Sequence, residues 1–132
     1  MITRRALALV AEDTELGRWA LTRALETAGF DVQAVATWSE AAAWLSRASF
    51  SLAFVAVSSV SGSAADVAAS MRAYHPRTRL VLLADQDRAD ELRLACGPGQ
   101  VLLTKPLDLE KVASVAHLGL AADGMAGRRG NP

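Results

Sequence analysis

This chain of 132 residues has little that invites covalent or metal-centred chemistry. A single cysteine, Cys96, excludes an internal disulfide and suits a reducing compartment. The two histidines, His75 and His117, have no cysteine or histidine neighbours at zinc-ligand spacing, and read as a helix end and a helix interior. No glycine-rich phosphate fingerprint and no serine–histidine–acid set can be assembled. Fourteen basic and fourteen acidic side chains cancel, so no net field draws the chain to nucleic acid or an anionic membrane. The basic doublets, Arg4-Arg5 and Arg128-Arg129, lie near the termini. Long apolar runs are missing too, so no segment is expected to span a bilayer. The opening "MITRRALALVAEDTE" places basic residues before apolar ones, as targeting signals do. Its apolar run is short, however, and meets Glu12 and Asp13 at once. A cytoplasmic domain without nucleic-acid or membrane partners is expected.

What the chain does have is apolar patterning, at 52% hydrophobic residues. One domain of this length buries roughly two-thirds of its unfolded surface. "ALALVA" (6–11) reads as a strand. Leu16, Ala20, Leu21, Ala24, Leu25 and Ala28 then recur at helical spacing, and Gly29 stands where a helix end wants a left-handed residue. "FDVQAV" reads as a second strand, and Thr37-Trp38-Ser39-Glu40 as a capping box opening the helix "EAAAWLSRA". "LAFVAV" is a third strand. Ser63 caps a helix whose inner face is Ala64, Val67, Ala68, Met71 and Tyr74, ended by His75-Pro76. "RLVLLA" is a fourth strand, followed by a weaker helix from about Arg88 to Cys96 that Gly97-Pro98-Gly99 stops. "VLLT" is a fifth strand, and Asp108 caps a last helix through Leu120. Residues 1–120 form the domain, and 121–132, "AADGMAGRRGNP", read as a flexible tail or linker.

Strand and helix alternate five times, and several strands are apolar on consecutive residues, as when helices cover both faces. Right-handed crossovers then give a five-stranded parallel sheet in a doubly wound, three-layer α/β sandwich. Such sheets place their chemistry at the carboxyl ends of the strands. There the chain offers Glu12-Asp13, Ser58-Ser59, Ala84-Asp85 and Thr104-Lys105-Pro106. Carboxylates after the first strand would repel a phosphate, which argues against flavin and nucleotide cradles.

These residues resemble the receiver domain of bacterial two-component response regulators over about residues 5 to 120. "EDTELGRWALTRALETAGF" is similar to that family's acidic pair, first helix and closing Gly-aromatic pair; "LLTKPLD" resembles its lysine–proline motif, and "AYHP" also fits. The resemblance implies a flavodoxin-like topology and a cis peptide at Lys105-Pro106. Carried over, the acidic pair falls on Glu12 and Asp13 and the lysine on Lys105. The phosphorylated aspartate falls on Ala56, the switch hydroxyl on Ala84, the switch aromatic on Leu102, and the usual proline after the third strand on Val60. The resemblance thus implies a degenerate receiver lacking its phosphoacceptor.

A methyl group cannot attack phosphorus, and phosphoryl transfer needs a positioned nucleophile. Without a third acid, Glu12, Asp13 and the Ser58 carbonyl make a poor Mg²⁺ site, so no metal or other cofactor is expected. Lys105 is expected to reach towards Asp13 or Glu12 and serve structurally. Ser58 and Ser59 are expected to have no base beside them, and Asp85 is expected to face solvent or cap the next helix. On the helical wheel Trp38 falls on the core side and Trp44 is borderline. Trp19 points outward beside Arg23, which makes the pair a candidate partner surface or a cation–π couple. The Gly97-Pro98-Gly99 region is expected to be mobile. The function expected is a non-enzymatic, phosphorylation-independent signalling module that meets a protein partner: a sensor kinase, an output domain or another regulator. Two alternatives stay open, a working phosphorelay receiver with an atypical acceptor, and a small α/β binder or enzyme using Glu12, Asp13 and Lys105. The oligomeric state is left open.

Overall fold

A computed structural model describes residues 5–118 of the chain. The expected tail, 121–132, and the expected end of the last helix at Leu120 lie outside the described residues. The strands are β1 (Ala6–Ala11), β2 (Phe30–Val35), β3 (Leu52–Ala56), β4 (Arg79–Ala84) and β5 (Val101–Thr104). Between them run α1 (Glu15–Thr27), α2 (Trp38–Leu45), α3 (Ala64–Tyr74) and α4 (Gln86–Ala95), and residues 109–118 form α5. All neighbouring strands are parallel, in the order β2-β1-β3-β4-β5. This is the doubly wound order in which the chain reverses direction between β1 and β3, opening a crevice at the strand ends.

Two apolar layers explain why the chain takes this form. Alternate strand residues point to opposite faces. Leu9, Ala53, Val55, Leu80 and Leu82 therefore meet Ala41 and Leu45 of α2 with Val67, Ala68 and Met71 of α3. On the other face Val10, Phe54, Ala56, Val81 and Leu83 meet Leu21 and Leu25 of α1 with Val112 and Ala116 of α5. Every residue of β3 is buried, as the central strand of a sheet covered on both sides must be.

Side-chain caps set the helix starts. Thr14 accepts the Gly17 N–H, Thr37 the Glu40 N–H, Ser63 the Asp66 N–H, and Asp108 the Glu110 N–H. The Thr37 hydroxyl in turn donates to Glu40 Oε1 at 3.1 Å, so the expected capping box is formed in one half only: the return contact goes to the hydroxyl and not to the Thr37 N–H. Gly29 has φ of 108°, and Arg5 reaches it to bind the carbonyls of Glu26 and Gly29 at the end of α1.

Several expectations need correction. Leu16 and Tyr74 are not core; they are 75% and 76% exposed. Both stand at helix ends, Leu16 in the first turn of α1 and Tyr74 as the last residue of α3, where the helices overhang the sheet. The second helix runs from Trp38 and stops at Leu45, because the Ser46 hydroxyl donates to the Ala43 carbonyl and competes with further helix. The fourth helix begins at Gln86, two residues before its expected start, with Asp85 as an N-cap that makes no side-chain bond. The third strand ends at Ala56, and Val57–Ser59 form one turn of 3-10 helix.

Candidate functional site

β1 delivers Glu12 and Asp13 to the carboxyl edge of the sheet, and the loop after β5 delivers Lys105. Glu12 is only 1% exposed. Its Oε1 accepts from Lys105 Nζ at 2.7 Å, its Oε2 from the Thr14 N–H at 3.4 Å, and its backbone N–H donates to Val35 at 3.0 Å. A carboxyl group this deep is tolerated only with such partners. Gly17 makes the burial possible: a Cβ there would stand 2.7 Å from Glu12 Oε1 and 2.6 Å from Thr14 Oγ1. Lys105 thus reaches one of its two expected partners, Glu12. The peptide between Lys105 and Pro106 is cis, as the resemblance implied.

Asp13 is exposed and serves differently. The Ser58 hydroxyl donates to its Oδ1, and this bond is the main reason the Asp13 carboxyl lies below its ordinary value of 3.8. Its slight burial opposes that, while Glu12 and the Lys105 charge assist. The expectation that Ser58 has no base beside it is therefore corrected. Asp13 is that neighbour, though a carboxylate of lowered pKa is a weak base. Ser59 instead turns inward and donates to the Ala56 carbonyl at 2.7 Å.

Ala56 is fully buried at the end of β3, within the apolar layer under α1 and α5. It does not line the crevice. A cleft of about 340 Å³ there is walled by Asp13, Val57, Ser58, Ala84, Arg88 and Lys105 among others. Ala84 packs with Val57, Ala64 and Leu92 in a small apolar cluster. Leu102 leans on that cluster and on the α2–α3 layer. Both inferred switch positions are thus filled by packed aliphatic groups. Asp85 is exposed at the cleft wall.

Three contributors escaped the sequence reading. Arg18 Nη1 donates to the carbonyls of Glu12 at 2.9 Å and Asp13 at 3.3 Å, tying the acidic loop to the first turns of α1. Its place one helical turn beyond the pair was the available signal. Thr14 was legible as a hydroxyl just before a helix. Arg88 adds a second cation to the cleft, in the first turn after Asp85.

Among the described residues no three His, Cys, Asp or Glu side chains are placed to hold a metal ion. Mg²⁺ requires several oxygens in octahedral array. Here Glu12 is engaged by Lys105 and Asp13 by Ser58, and position 56 has no side-chain oxygen. No described helix is long and apolar enough to cross a membrane.

Away from the cleft, Trp19 is 62% exposed, with the Arg23 guanidinium 5.9 Å from its ring centroid. Trp38 and Trp44 are half-buried against the α2–α3 layer.

No family model matches the sequence, and no curated protein matches it. Solved structures do. The signal receiver domain of an HD domain-containing protein from Pseudomonas fluorescens superposes with a TM-score of 0.82 at 18% identity, covering 98% of this chain and 96% of that one. A chemotaxis response regulator of Vibrio cholerae gives 0.73 at 21% identity, over 88% and 99%. A response regulator from Burkholderia pseudomallei, with a phosphorylated aspartic acid and a calcium ion, gives 0.69 at 21% identity, over 96% and 75%. The chain has the fold of response regulator receiver domains.

Proposed function

We propose that this chain is a receiver-type signalling module that works through protein–protein contact, without accepting a phosphoryl group and without enzymatic turnover. The observation that carries this reading is the pairing at the strand ends. Glu12 is paired with Lys105, Asp13 is bound by Ser58, and position 56 at the end of β3 carries only a buried methyl. A phosphoacceptor site keeps its carboxylates open to a metal and a phosphoryl donor. Here Glu12 is buried against Lys105, and one oxygen of Asp13 is taken by Ser58. The aliphatic packing of Ala84 and Leu102 supports the same reading, since neither side chain can follow an added phosphate by hydrogen bonding. The partner would be a sensor kinase, an output domain or another regulator, with the Trp19–Arg23 patch of α1 as one contact.

Intact-mass measurement after incubation with acetyl phosphate and Mg²⁺ tests the reading. No mass change is expected, and a stable gain of one phosphoryl group overturns it.

A second reading makes Ser58 an atypical acceptor, favoured by its hydrogen bond to Asp13. It requires a phosphoryl adduct that disappears in Ser58→Ala.

A further inference from the structure

At the opposite edge of the sheet, where the strands begin, lies a cleft of about 360 Å³. Ser51 before β3, Arg79 at the start of β4 and Gln100 before β5 mark that edge. Arg72, His75, Arg77 and Arg79 line the cleft, and no carboxylate does. In a chain whose charges cancel, this gathering of one sign is local. The ion pairs among the described residues are Arg5–Asp31, Arg93–Asp90 and Lys105–Glu12, so Arg72, Arg77 and Arg79 have no carboxylate of a described residue within 4.0 Å.

One of these cations is already held in place. Arg72 Nη1 donates to Gln100 Oε1 at 2.7 Å and to the Ala95 carbonyl at 3.0 Å. Gln100 in turn accepts the Gly97 N–H at 2.8 Å and donates to the Ala68 carbonyl at 2.9 Å. Arg79 is half-buried and Arg77 exposed. Guanidinium groups present paired N–H donors that match phosphate and carboxylate oxygens, and a fixed one loses little entropy on binding. The volume lies within the range of small-ligand pockets.

We propose that this cleft binds a compact oxyanion of two or more negative charges, with Arg79 and Arg77 as the principal contacts on a wall stiffened by Arg72. The site is independent of the strand-end crevice.

Titration calorimetry with sodium pyrophosphate, and separately with citrate, tests this at 50 mM salt. Saturable binding of either anion is expected, and the stronger of the two identifies a phosphate or a carboxylate ligand. Arg77→Gln, an exposed position where folding is not at risk, should weaken binding at least ~5-fold, and Arg79→Gln ~10-fold. Lys111→Gln, a surface charge on α5, should change it less than ~2-fold. Absence of saturable binding below ~5 mM for both anions overturns the proposal. So does equal weakening by Arg77→Gln and Lys111→Gln, which signifies diffuse attraction alone.

Discussion

Lys105 and Glu12 are 93 positions apart in sequence and 2.7 Å apart in space, one ammonium against one nearly inaccessible carboxylate. The contact joins the end of the sheet's edge strand to the end of β1, across β3 and β4. Breaking a buried pair by removing one partner costs more than the pair itself contributes, because the other charge is stranded. Lys105→Met should therefore cost about 3 kcal/mol in urea denaturation, while Lys105→Met combined with Glu12→Gln should recover about half. Additive losses would mean that the two groups are not coupled.

Ser58→Ala should raise the Asp13 pKa towards 3.8, because the hydroxyl is the largest cause of its depression. The sign for the native chain follows. A carboxyl lowered by folding contributes stability above pH 3.8, lost as the pH falls through the folded value. Exposure of Asp13 keeps the contribution small. Carboxyl-detected NMR titration of the two proteins measures the shift directly.

Gly17→Ala should destabilise the fold by about 2 kcal/mol, since the new methyl must displace Glu12 or break the Thr14 cap. Gly62→Ala, where a Cβ meets nothing within 4 Å, should stay within about 0.5 kcal/mol. Thermal melts of the pair separate a steric requirement from a general dislike of substitution.

Ala56→Asp should lower stability by about 3–5 kcal/mol without divalent ions, since it buries a third acid beside Glu12 with no added cation. Millimolar Mg²⁺ should restore part of the loss, because the new oxygen supplies what the present residues lack. Denaturation curves with and without the ion decide it; a stability unchanged by the substitution would contradict the burial of position 56.

Two tryptophans make a further contrast. Trp19→Ala should alter stability by less than about 1 kcal/mol, its ring being mostly in water over Arg23. Trp38→Ala, which removes a ring packed on the α2–α3 layer, should cost about 3 kcal/mol. Chemical denaturation of both variants checks the ranking.

The parallel sheet and its two covering layers were legible from consecutive apolar residues in the central strands and helical spacing between them, whereas the strand order followed only from the receiver resemblance. The caps at Thr37, Ser63 and Asp108 were legible for a local reason, a hydroxyl or carboxylate just before a periodic segment. Leu16 and Tyr74 were misjudged because periodicity says which side a residue faces, and nothing about whether a strand still lies beneath it. The choice of Lys105 between two adjacent acids was left open for a related reason. It depends on Gly17 admitting Glu12 under the helix while Asp13 turns to Ser58. Pairing between distant segments carries no local signature; Arg18, only five and six residues from the carbonyls it binds, did have one and was overlooked.

Leu102 bridges two apolar clusters and so fastens β5 to both α3 and α4. On the proposed reading a side chain packed on both clusters does not swing between two settings. On that reading the chain's message is carried by abundance: how many copies are made, and how many docking places they fill. Control would then fall to synthesis and degradation of the chain, and cellular dose would replace chemical modification as the variable that matters.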